Sequence, residues 1–191
     1  MKRQAVTLII VMLATIALAL FLASRTPVIA PGTELKIVRG LRLSDDDRTL
    51  TGIGAQLTVA IPEGWSATPL EGYPGEFALT PDDDRKCSIK VSDRENLVGS
   101  PQAFRTQFNE TAQREGIEPL ARDLVDIANW PAANFSWRLE TGVLVRQVVI
   151  PHGQNVVGLV LEEDPTPADM LNPPVPCEPE FDALLASGIT L

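Results

Sequence analysis

The chain has 191 residues and 45 % apolar content, enough for one domain with a real core and too apolar for wholesale disorder. Its net charge is −9; Lys2 and Arg3 precede an N-terminal apolar run that every acidic residue follows, so the part beyond carries 14 basic against 25 acidic side chains, a net −11. Such a surface repels phosphate backbones and anionic lipid headgroups, which argues against DNA, RNA or the membrane surface as partners of the main body.

The first element is the apolar run itself. Ala5 to Ala23 are 19 residues without a charge, proline or glycine. At about 1.5 Å per residue, a helix of that length spans close to 30 Å, the thickness of a hydrocarbon core. A cleaved signal peptide has a shorter apolar region, of roughly 7–15 residues. Ala17-Leu18-Ala19 and Val28-Ile29-Ala30 offer small residues for cleavage, but the first lies inside the run and Pro31 follows the second. No cysteine stands near the end of the run to carry a lipid. The expectation is an uncleaved transmembrane signal-anchor over 1–24 with a proline-containing tether at 25–34; a cleaved signal is the alternative. With Lys2 and Arg3 before the run, the N-terminus stays cytoplasmic and residues 35–191 are exported to the periplasm or the extracellular side.

Beyond the tether, Ile53, Ala55, Leu57, Val59 and Ile61 alternate with smaller or polar residues, which reads as one half-buried strand closed by a Pro62-Glu63-Gly64-Trp65 turn. Phe77 and Leu79 mark a second strand, and Cys87, Ile89 and Val91 a third. A helix over 101–115 follows. Ser100 suits its N-cap, Pro101 its first position and Gly116 its stop, while Phe104, Phe108, Thr111 and Ala112 share one face. Strand patterns resume at Leu120–Ile127, at Ala133–Leu139 with alternate residues inward, at Val143–Ile150 and at Asn155–Glu162. The last two are joined by a hairpin through Pro151-His152-Gly153-Gln154. A loop rich in proline occupies 164–179, and a short helix over about 178–187 places Phe181, Leu184 and Leu185 on one face. Antiparallel strands with helices packed on them define an α+β class.

Cys87 and Cys177 are the only cysteines, 90 positions apart, which is neither a zinc nor a redox spacing. In an oxidising compartment such a pair forms a disulfide; two separate buried thiols are the alternative.

Four features together resemble the PsbP-like superfamily, which also includes a Ran-binding nuclear-import factor and many bacterial exported proteins. They are Val59-Ala60-Ile61-Pro62-Glu63-Gly64-Trp65, the amphipathic helix in mid-chain, the meander from Ala133 to Glu162, and the closing Phe181-Asp182-Ala183-Leu184-Leu185-Ala186-Ser187. The likeness covers residues 50–191 and rests on markers of fold, not activity. It implies an αβα sandwich around an antiparallel sheet and the role of an accessory or binding protein in a larger assembly, with no family active site to carry over. The proline-rich loop at 164–179 departs from the family pattern.

The residues that could carry chemistry have ordinary readings. His152 is the only histidine and falls in an expected turn, as an exposed residue. A nucleophilic triad would need it as base, and a zinc site built from it would have only the two cysteines besides. Asp45-Asp46-Asp47, Asp82-Asp83-Asp84 and Glu162-Glu163-Asp164 could offer oxygens to calcium, but lack the alternating spacing of an EF-hand and read as solvated turns. No two carboxylates single themselves out for glycosidase work. Gly52-Ile53-Gly54 lies in a strand pattern without the helix that a phosphate loop requires. Trp65 and Trp130, at strand ends beside prolines, read as caps of the core, with an interface anchor as the second reading.

The expectation is therefore not an enzyme and needs no cofactor. It is an accessory or assembly subunit, held in the inner (cytoplasmic) membrane by residues 5–23, docking on the outer face of an integral membrane protein complex. An exported binding protein for a small molecule or envelope polymer is the alternative.

Overall fold

The structure, a computed structural model, describes residues 40–52, 57–164 and 176–191. All of them belong to one compact unit, Ile37–Leu191. The expected anchor at 5–23 and the tether lie outside the described residues. Among the described residues, no helix is long and apolar enough to cross a membrane.

Among the described residues, eleven strands form two sheets. The larger sheet has seven strands: β4 (Trp65–Pro69), β5 (Phe77–Pro81), β6 (Cys87–Glu95), β7 (Pro119–Ile127), β8 (Trp130–Arg138), β9 (Leu144–His152) and β10 (Asn155–Glu163), in the order β4-β5-β6-β10-β9-β8-β7. Every neighbouring pair is antiparallel. The chain meanders from β4 to β6, and helix α1 (Pro101–Glu115) then carries it to the far edge at β7. The second meander brings it back, so that β10 slots in beside β6. The smaller sheet has the order β1-β2-β3-β11, from β1 (Leu41–Leu43), β2 (Thr49–Gly52), β3 (Thr58–Ala60) and β11 (Ile189–Thr190). Helix α2 (Glu178–Ser187) leads directly into β11.

The strand alternation decides what each face of the large sheet buries. Ile89 and Val91 of β6, Val157, Leu159 and Leu161 of β10, and Val148 and Ile150 of β9 point into the main core. The small sheet closes that core with Leu41, Leu50 and Val59, and α2 closes it with Phe181, Leu184 and Leu185. On the opposite face α1 lays Phe104 and Phe108 against Ala133, Phe135 and Val149. The expected helix–sheet–helix sandwich is thus only partly right, because α2 shares its layer with a second sheet. That sheet depends on β3 pairing with β11 at the chain's end, Val59 opposite Ile189, which no local pattern announces.

Three local expectations also change. The run read as one strand over 53–61 is not one: β2 and β3 pair antiparallel, Leu50 opposite Val59, so the chain reverses between Gly52 and Leu57. Residues 53–56 lie outside the described residues. Trp65 begins β4 as well as ending the turn. Leu139, expected inward, is exposed beyond the end of β8.

Helix α1 has the expected bounds, for the expected reasons. The Ala103 N–H donates to the Ser100 hydroxyl at 3.2 Å, and Gly116 takes the left-handed conformation at φ 69°. Another close approach requires glycine outright. A Cβ on Gly75, at φ 81°, would meet the Gly40 backbone at 2.8 Å, where the Leu41 N–H donates to the Gly75 carbonyl at 2.8 Å.

Candidate functional site: a groove beside helix α1

Helix α1 packs on β7, β8 and β9, the far half of its face of the sheet. Where it stops, a half-open groove of about 470 Å³ runs between the helix and the exposed faces of β6 and β10. Its helical wall is Phe104, Gln107, Phe108 and Thr111, residues spaced three and four apart and so on one side of the helix. Phe108 is anchored from behind, stacked on Phe135 with centroids 4.4 Å apart and tilted against Trp137 at 5.5 Å. Val156 and Val160 of β10 make the apolar part of the floor.

The polar part comes from β6, whose even residues Lys90, Ser92 and Arg94 face the groove while Ile89, Val91 and Asp93 face the core. Two ion pairs fix the cations. Lys90 Nζ meets Glu162 at 2.6 Å, and Arg94 meets Glu76 at 2.6 Å. Gly158 lies between them in the floor, and a Cβ there would meet Ser92 Oγ at 2.8 Å. The missing side chain is what leaves the floor open. The groove can therefore seat an apolar body on the phenylalanine wall while offering charged and amide groups at its rim.

The first two acidic clusters meet at one hollow, and the third lies elsewhere. Asp46, Asp47 and Asp82 line one open hollow of about 520 Å³, together with Glu63 and Arg48. Their carboxylates have local duties. Asp46 accepts from the Ser44 hydroxyl at 2.6 Å and from the Arg48 N–H at 3.1 Å, and these bonds hold its carboxyl below the usual carboxylate range. Asp82 accepts from the Ser66 hydroxyl. Asp83 is held low mainly by its hydrogen bond from the Arg85 guanidinium, at 2.9 Å. In the third cluster Glu162 pairs with Lys90, and Glu163 accepts from the Cys177 N–H at 3.2 Å. Among the described residues no three histidine, cysteine or acidic side chains converge as a metal site.

Arg85 ties the β5–β6 connection to α2. Its guanidinium bonds to Asp83 and to Glu180 and lies over the Trp65 ring, 5.6 Å from the centroid. Those two carboxylates push its own pKa further up. A second arginine does similar work: Arg146 donates to Asp182 at 2.6 Å and lies over Phe181. Between these clamps Cys87, at the start of β6, is bonded to Cys177, at the N-cap of α2, with Cα atoms 6.5 Å apart.

Trp65 is only 5 % exposed and belongs to the main core, so it presents little surface to a partner. Trp130 is half-buried against the same core. Its ring meets His152 edge-on at 4.5 Å. His152 corrects an expectation: it is the last residue of β9, half-buried, and the turn is Gly153-Gln154. Nothing brings Trp65 and Trp130 into the groove. Asp93, 3 % exposed, continues the inward series of Ile89 and Val91, and Asn155 Nδ2 donates to it at 3.1 Å. An acid at an inward position of a clean alternation was the available signal.

Cyanobacterial PsbP (CyanoP) from Synechocystis sp. PCC 6803, known from a solution structure, matches with a TM-score of 0.50 at 15 % identity, over 86 % of this chain and 99 % of its own. The fold is PsbP-like. A Pseudomonas aeruginosa protein of unknown function, PA94, matches more weakly, with a TM-score of 0.40 at 19 % identity over 64 % of this chain and 94 % of its own. No protein-family model and no curated protein matches the sequence.

Proposed function

We propose that the protein is a non-catalytic accessory or assembly subunit. It is held in the inner membrane by residues 5–23 with the N-terminus cytoplasmic, and it docks its exported domain on the outer face of an integral membrane protein complex. The observation that carries this reading is the half-covered sheet face. Sheets in soluble domains commonly leave a polar face to water. Here the open half is bordered by an anchored aromatic wall, and its charges are already paired and positioned. A partner's apolar side chain seated among polar rim contacts is the usual anatomy of an interface. The PsbP-like fold adds support, since accessory roles are the ones its superfamily resemblance implies. The uncharged run at 5–23 would keep the domain within reach of partners in the same membrane.

The second reading, an exported binding protein for a small molecule or envelope polymer, draws on the groove's size. About 470 Å³ falls within the range of ligand pockets. The groove is open along its length, whereas such pockets enclose most of their ligand.

The test is affinity capture of the full chain in mild detergent, with mass spectrometry of what accompanies it, beside a Gly158→Leu variant that fills the floor. A stoichiometric set of integral membrane proteins, lost with Gly158→Leu, is the expected result. A wild-type chain that emerges alone would overturn the subunit reading and favour the ligand reading. Partners retained by Gly158→Leu would move the docking surface away from the groove.

A further inference from the structure

Strand β7 closes one end of the large sheet, and among the described residues nothing pairs with its outer edge. An unpaired edge of this kind is a template for another strand, and most proteins blunt theirs. Pro119 and the register shift between Pro119 and Ala121 blunt only the start of β7. From Ala121 to Ile127 the strand is regular.

The hairpin turn fixes which groups face outward. Ala128 and Asn129, at φ 50° and 66°, form a two-residue turn of the primed type flanked by Ile127 and Trp130. Such a turn closes on a hydrogen-bonded pair, and bonded pairs then recur at every second residue. Val125 and Asp123 therefore bond to β8, while Asp126, Leu124 and Arg122 turn their N–H and C=O groups to the open edge. The side chains of these three share one face, opposite Pro131, Ala133 and Phe135. Leu124 is 38 % exposed, and Arg122 and Asp126 are exposed on either side of it.

We infer that β7 is a self-pairing edge, through which two copies of the chain join their large sheets antiparallel about a two-fold axis at Leu124. An antiparallel two-fold pairing sets residues equally distant from its centre against each other. Centred on Leu124, it places Leu124 against Leu124 of the second copy and Arg122 against Asp126, the ion pair forming twice. It also places the axis on residues whose backbone groups already point outward. A register centred on Arg122, Asp123 or Asp126 would set like charges face to face, and one centred on Val125 would leave both charges without a counterpart. Only the Leu124 register satisfies the backbone and the charges together.

The test uses the full chain in mild detergent, with its mass followed against concentration by light scattering and sedimentation. A dimer is expected. Arg122→Asp and Asp126→Arg, made singly, should each weaken it about tenfold or more, since both copies of the pair turn repulsive. The double variant, Arg122→Asp with Asp126→Arg, should restore it, because the swapped charges again face each other. Circular dichroism on all three variants shows that the fold is kept. A monomer at every concentration overturns the inference, as does a dimer indifferent to the single reversals, or a double variant no tighter than either single one.

Discussion

Reduction of the Cys87–Cys177 bond should cost much stability while leaving the native structure in place. The two residues are separated by 90 positions. For a loop of that length the chain-entropy relation gives about 4.6 kcal/mol at 25 °C, lost when the unfolded chain is freed. The folded state has independent reasons to survive. Cys177 is buried and Cys87 half-buried, so reduced thiols remain as small apolar side chains in their places. Helix α2 keeps Phe181 in the core and its bonds to Arg85 and Arg146. The assay is a guanidinium chloride titration of the full chain in mild detergent, with and without reductant, followed by tryptophan fluorescence. With a slope of roughly 4 kcal/mol per molar, the midpoint should fall by about 1 M. Two results would refute the reasoning: a shift under about 0.2 M, which would mean that the unfolded chain is scarcely constrained by the bond, or loss of near-ultraviolet circular dichroism on reduction without denaturant, which would mean that the bond holds the native packing itself.

Arg85→Ala should cost about 2–3 kcal/mol, because it leaves Glu180 half-buried without its cation and uncovers Trp65. Arg85→Lys should recover less than half of that, since a single ammonium cannot reproduce a fork that bridges two carboxylates; thermal melts would measure both. Ala128→Gly should stabilise by about 0.5–1 kcal/mol, because φ 50° strains any residue with a Cβ, and a lower melting temperature would count against the turn as described. Asp46 has a lowered folded pKa, so its contribution is present above the ordinary carboxylate value of about 4 and is lost as pH falls through the folded one. Asp46→Asn should therefore be less stable than wild type at neutral pH, with the gap closing on acidification below about pH 4; melts at a series of pH values would show a constant gap if the reasoning is wrong.

Where an element's ends are written in its own residues, the sequence was readable to the residue. Ser100, Pro101 and Gly116 bracket α1; α2, expected only over about 178–187 and without a capping side chain, spans Glu178–Ser187. The meander from β8 to β10 followed from the alternation of β8 and the β-branched runs of β9 and β10. What failed was whatever depends on distant partners. Strands β1 and β11 have only three and two residues and exist because they pair, so no window of sequence could show them. The antiparallel pairing of β2 with β3 hid inside a run that reads as a single strand. Strand β4 has Pro69 at its end and one β-branched residue, Thr68, and its place is fixed by pairing with β5.

The groove was illegible for a further reason. Lys90, Ser92 and Arg94 read as the solvated side of an ordinary strand, and Phe104 and Phe108 as the buried side of an ordinary helix. Both readings are locally correct. The site arises because one helix of 15 residues rests on β7–β9 of a seven-stranded sheet, so its apolar wall ends beside strands that were patterned for water. Covering β6 and β10 would require either a second helix or larger side chains at positions such as Gly158, and the chain supplies neither among the described residues. Instead it pairs Lys90 and Arg94 with Glu162 and Glu76 beside the aromatic wall. Exposed ion pairs add little stability, so stability alone gives no reason for both pairs to flank one aromatic wall. The paired charges beside an open aromatic wall are what the proposed docking reading rests on.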